Sequence, residues 1–176
     1  MNRLYCFWGF IFSAILSTCP SFRVSRLILC IPGNRIEKGV TVHSRVRFII
    51  PTRLEIGSNS TINANSLIDS RQGIKIGSNT MIGRGVKIFT LGHNVDDEHF
   101  GSSGGKVIIG NNVVIFPYSL IMPGVLIEDN AVIYPGSVVT RNVKENEIVG
   151  GNPAKFIRLR QCKPKYSLEY NMYFGV

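Results

Sequence analysis

Residues Ile109–Val139 read IGNNVVIFPYSLIMPGVLIEDNAVIYPGSVV, and their rhythm decides the fold. An apolar residue returns at every sixth step: Ile109, Ile115, Ile121, Ile127, Ile133 and Val139. Working outward, the same step joins Ile36, Val42 and Phe48, then Ile56, Ile62 and Ile68, then Ile76, Ile82 and Ile88. All fifteen positions are apolar and twelve are isoleucine. Four residues after most of them stands something small or β-branched: Val40, Val46, Ser60, Ser66, Thr80, Val86, Val113, Ser119, Val125, Ala131 and Ser137. At the third step Asn or Gly recurs, as in Gly39, Asn59, Asn65, Asn79, Gly85, Asn112, Gly124, Asn130 and Gly136.

A period of six fits neither an amphipathic helix nor a simple alternating strand. It fits short flat strands joined by tight turns, where Asn or Gly takes the positive φ that other residues resist. Three hexads close one triangular coil, and the apolar residue points inward onto its counterpart one coil away. A single coil cannot bury its own face, so several must stack. The expectation is an all-β parallel β-helix of about five coils. Extra pairs such as Leu54–Glu55 and Ile74–Lys75 fall at the breaks between coils and are read as corner insertions.

The chain has 176 residues with 44% apolar content, enough for one domain with a real core. Its formal charge of +9 points to an anionic partner or to a soluble basic surface, which composition does not separate. Cys6, Cys19, Cys30 and Cys162 form no CxxC pair and show no zinc-ligand spacing with histidine, so buried free thiols are expected and no metal. Three units are expected: residues 1–33, an apolar helical segment; residues 34–160, the coils with a protruding loop at 89–106; and residues 161–176, a tail.

Leu4–Phe22 contains no charged residue. It admits three readings: a helix docked on the protein, a membrane anchor, or a cleaved signal. The docked, retained helix is the expectation, with Pro20 ending it and a second short helix following. Arg23 and Arg26 leave peripheral membrane contact through residues 1–30 open.

The rhythm fails in one place, Phe89–Lys106, FTLGHNVDDEHFGSSGGK. This stretch holds two of the three histidines, three consecutive acids and four glycines. Residues 36–160 resemble the hexapeptide-repeat acyltransferases, in particular the sugar and polysaccharide O-acetyltransferases that include maltose, galactoside and colanic-acid-type enzymes. The resemblance rests on GVKIFTLGHNVDDEHF, GKVIIGNNVVI, MPGVLIEDNAVIYPGSVVTRNV and VGGNPAKFIRLR, in order and spacing. It implies a left-handed β-helix, a homotrimer, acetyl-CoA as donor, a saccharide acceptor and a cytoplasmic, possible membrane-associated location. No nucleic-acid partner is expected.

By that resemblance His93 is the general base. Imidazole is the unperturbed side chain that changes charge near neutral pH, so it suits proton removal from an attacking alcohol. His99 is the rival, and His43, on an early coil, is given a structural or surface role. Asp69, Asp96 and Asp97 are candidates to orient the imidazole, and Asn65, Asp69 and His93 to hold the acceptor. The cofactor candidates are Pro117, Tyr118, Pro135, Thr140, Arg141, Lys155 and Arg158, the last two as cations for the CoA phosphates. The chain departs from the family in having Val114 in place of Trp and Phe116 in place of a small residue. Pro117 stands near the position whose N–H should polarise the thioester carbonyl, and proline has no N–H. Other readings are a serine- or amino-sugar-type acetyltransferase, and a non-catalytic β-helix scaffold.

Overall fold

The computed structural model describes residues 3–19 and 21–169. Pro20, the Cys6 side chain and residues 170–176 of the tail lie outside the described residues. Three parallel sheets make the sides of a prism, and each coil contributes one strand to each side. The first side carries strands beginning at Arg35, Leu54, Ile74, Val107 and Leu126; the third, strands beginning at Arg47, Leu67, Lys87, Leu120 and Val138. The second carries seven strands, because Glu147–Gly150 begins a sixth turn and Lys155–Leu159 folds back antiparallel against it. There are thus five complete coils and a partial sixth.

Three columns of side chains fill the prism. Ile36, Ile56, Ile76, Ile109 and Ile127 are in register on the first side. Val42, Ile62, Ile82, Ile115, Ile133 and Val149 are aligned on the second. Phe48, Ile68, Ile88, Ile121 and Val139 are aligned on the third. All fifteen hexad positions are buried, as are the small residues four steps later. The buried hydroxyls bond to carbonyls of the next coil: Ser60 Oγ to Gly77 O at 2.7 Å, Ser66 Oγ to Gly83 O at 3.0 Å and Ser119 Oγ to Tyr134 O at 3.0 Å. That pairing explains why serine is tolerated there beside isoleucine.

Leu54 and Ile74 correct the sequence reading. They are not corner insertions but buried strand residues of the first side. The extra length falls just before them, at Ile50–Arg53 and Ser70–Gly73, where Ile50, Arg53 and Gly73 take positive φ.

Helices α1 (Arg3–Thr18) and α2 (Phe22–Cys30) pack on the three strands of the first coil. Leu16 and Leu29 are fully buried and join the prism core, so the helices close the end that would otherwise expose it. Ser13 Oγ accepts the Phe48 N–H at 3.0 Å, and Arg26 donates to the carbonyls of Glu37 and Ile36. Among the described residues no helix is long and apolar enough to cross a membrane. The thiols of Cys19, Cys30 and Cys162 are free; contrary to the expectation of burial, Cys162 is exposed and the other two half-buried.

After Leu159 the chain turns and runs back down the corner between the first and second sides. Arg160 N–H donates to Asn146 O, and its guanidinium reaches the carbonyls of Asn112 and Asn130. Farther on, Asn79 clasps the Tyr166 carbonyl and the Leu168 N–H, and Asn59 reaches Ser167.

Candidate active site

The break in the rhythm is an antiparallel hairpin that leaves the corner between the third and first sides. Its strands are Leu91–His93 and Ser102–Gly104, with His93 opposite Ser102. Glycine is required at Gly104, where a Cβ would collide with Thr90 O and lie 2.8 Å from Leu91 Cα. Asp97 organises the tip: its carboxylate accepts the N–H groups of His99 and Gly101 at 3.0 and 3.1 Å. Asp96 is exposed, with its N–H bonded to Asn94 Oδ1.

His93 is exposed and yet held. Its Nδ1 lies 2.8 Å from Phe100 O and donates to it, which leaves Nε2 as the basic nitrogen. Its ring stacks on Phe100 with centroids 4.5 Å apart and planes 3° from parallel. The group that orients the imidazole within the chain is therefore a backbone carbonyl, and none of Asp69, Asp96 and Asp97 takes that place. His99 is solvated, 3.7 Å from Glu98. His43, on the first coil, packs edge-on against Phe22 of α2 with ring centroids 5.0 Å apart.

Asp69 acts one step further back. It is fully buried on the coil below the hairpin. Arg71 meets it with two hydrogen bonds, Nε to Oδ1 at 2.8 Å and Nη2 to Oδ2 at 2.9 Å. Oδ2 also accepts the Thr90 N–H, and Arg71 Nη2 reaches Leu91 O at 3.3 Å. Burial opposes ionisation of Asp69, but the hydrogen bonds and charge of Arg71 outweigh it and hold the carboxyl below its ordinary range. The pair thus grips the two residues at the root of the hairpin. Arg71, Thr90 and Phe100 were not among the candidates; the one sequence signal was the Asp-x-Arg spacing of Asp69 and Arg71.

The remaining candidates flank the third side. Asp69, the hairpin and the exposed pair Thr140–Arg141 share one edge of it. Asn65, Pro117, Tyr118 and Pro135 share the other edge, where the GNPAK turn sits above them, with Ala154 N–H on Val138 O. Lys155 opens the last strand there and is exposed. Arg158 lies apart, exposed on that strand with its guanidinium on Leu159 O. The amides beside Pro117 are both engaged, Phe116 with Ile133 O and Tyr118 with Arg84 O, so neither stands free to polarise a thioester. Phe116 packs edge-on against Tyr134, and Val114 takes its ordinary place in the second-side ladder. Among the described residues no group of His, Cys, Asp and Glu could hold a metal.

A parallel prism of hexads, broken once by a histidine-bearing hairpin, is the architecture of a β-helical transferase. The family described as bacterial transferase hexapeptide (six repeats) matches residues 106–141. Galactoside O-acetyltransferase of Escherichia coli strain K12 is 36% identical over 127 residues, 70% of this chain and 62% of that protein. Protein CapG of Staphylococcus aureus is 38% identical over 128 residues, 71% of this chain and 69% of CapG. The solved structure of a galactoside acetyltransferase in complex with coenzyme A superposes with a TM-score of 0.81 at 26% identity, over 97% of this chain and 92% of that one. The chain belongs to the hexapeptide-repeat acetyltransferases, and its prism is their left-handed parallel β-helix.

Proposed function

We propose that this protein transfers an acetyl group from acetyl-CoA to a hydroxyl of a saccharide, with His93 as general base. The observation that carries the reading is the held imidazole: Nδ1 fixed on Phe100 O, Nε2 basic and accessible, on the one excursion from the coils. Acetyl-CoA supplies the acetyl group as a thioester. Nε2 takes the proton of the acceptor hydroxyl as its oxygen adds to the thioester carbonyl, and later gives it to the departing sulfur. Asp69 serves as a positioning residue through Arg71 and the hairpin root. Lys155, at the upper end of the third side, is the cation for a CoA phosphate, with Arg141 across the same side. The galactoside and coenzyme A named for the relatives support this choice of acceptor class and donor.

The strands of the hairpin pair only with each other among the described residues and lie at the surface of a single prism; a neighbouring copy supplying the opposite wall, in a homotrimer, is the proposed assembly. The reading is tested by release of free thiol from acetyl-CoA against a panel of neutral and acidic oligosaccharides, with light scattering on the same sample. Acetylated product from a trimer is expected, and Lys155→Ala should raise KM for acetyl-CoA about tenfold while KM for the acceptor holds. Thiol release independent of every saccharide, or full activity in a monomer, would sink it.

A further inference from the structure

Between α1 and the third side lies a groove of about 770 Å³, which reaches the root of the hairpin through Arg71. Its polar lining is Ser13, Ser17, Arg45, Arg47, Asn65 and Arg71, with no acid among them. Arg71 is committed to Asp69 and Leu91 O. The guanidinium groups of Arg45 and Arg47 meet no acid and no carbonyl among the described residues. Both are exposed, and Phe48, Ile49 and Ile50 give the groove its apolar lining.

Arg45 stands in a revealing place. The same corner position in successive coils is Arg45, Asn65, Gly85, Tyr118 and Gly136, with φ of 61°, 63°, 67°, 63° and 66°. Asn and Gly take this left-handed conformation readily, whereas arginine does so only against steric resistance. Nothing in the packing requires a long cation there, because its charge has no partner among the described residues. A residue held in a disfavoured conformation, with its charge unanswered at the mouth of a groove, points to a ligand. Arg47 begins the adjacent strand and lines the same groove.

We infer that this groove binds an anionic saccharide, Arg45 and Arg47 pairing with a carboxylate or phosphate on the sugar while the hydroxyl to be modified lies toward His93. Ser13, Ser17 and Asn65 line the same groove and offer polar side chains to neutral hydroxyls of the sugar. The inference rests on the acetyltransferase reading only in calling the ligand an acceptor; binding by the arginines is independent of turnover.

The test is calorimetric binding to the full-length protein at low and high salt. The probes are a glucuronate-containing tetrasaccharide, the same compound with its carboxyl reduced to an alcohol, a hexose 1-phosphate and the free hexose. The charged member of at least one pair should bind about tenfold more tightly than its neutral partner, with the advantage shrinking at high salt. Which pair shows it assigns the anion as carboxylate or phosphate. Arg47→Gln and Arg45→Asn should each remove most of that advantage, while Arg35→Gln, on the first side, should retain it. Arg45→Asn should also keep or raise the melting temperature, which a purely structural arginine would not do. Equal binding of charged and neutral probes, no binding of any probe, or a preference that survives both arginine variants would overturn the inference. Preferential binding without acetylation would count against the proposed activity alone, and acetylation without preference against the groove alone.

Discussion

A base that is to take a proton must present one ring nitrogen and tie down the other. In His93 the tie is Phe100 O at 2.8 Å, reinforced by the stacked Phe100 ring. His93→Ala should lower kcat by about two to four powers of ten, with the melting temperature unchanged because the residue is exposed. His99→Ala should have little effect; steady-state kinetics on both variants decides between them. Asp69 makes a different prediction. Its folded carboxyl titrates below the ordinary range while the unfolded one titrates within it, so its stabilisation is complete above that range and is lost as the pH falls below it. Asp69→Asn should therefore cost about 1–3 kcal/mol at neutral pH, and the gap from wild type should close below about pH 4. Denaturant melts across pH measure this, and a constant gap would refute the ion pair as its source. His93 was singled out in the sequence by resemblance to the family's loop histidine, with its residue type suited to the role. The sequence did not reveal the role of Phe100, whose contribution is a carbonyl, a group that every residue carries. Asp69 was a candidate to orient the imidazole directly; its bonds to Arg71 and Thr90 could not be read from sequence, because its partners are defined only once the chain has turned the corner.

At the scale of elements, the hexads were legible because burial repeats identically in every coil, so each isoleucine repeats the same message. The exact corners were not, since Leu54 and Ile74 look alike whether they end a turn or begin a strand. The hairpin was legible only as an interruption. Its shape follows from Asp97, which gathers the N–H groups of His99 and Gly101, and from Gly104, which lies against the departing chain. Gly104→Ala must push the returning strand away from Thr90 and Leu91. That should cut activity at least tenfold through loss of the His93 geometry, while the acetyl-CoA binding proposed for Lys155 persists. Isothermal titration with CoA beside a kinetic assay separates the two; parallel loss of both would mean that the coils themselves are disturbed.

The whole molecule is a stack in which each coil touches only its neighbours, closed at one end by α1 and α2. The tail was invisible in sequence beyond being a tail, because its partners lie far away along the chain: Leu168 meets Asn79, and Ser167 meets Asn59. Asparagine was placed at those corners for its backbone conformation, and its amide is thereby left pointing outward, ready for the returning strand. In a pure stack, outer coils can fray one after another without disturbing those within. A segment that bonds to Asn146, Asn130, Asn112, Asn79 and Asn59 in turn couples the sixth turn to the second coil. A chain ended after Leu159 should keep its coils but lose that coupling, so that hydrogen exchange quickens at the upper coils first instead of uniformly along the prism. Unchanged exchange in the shortened chain would refute the coupling. The last residues described thus lie like a tendon along the outside of the column: they add almost nothing to its core, and their expected effect is that the coils they span open together.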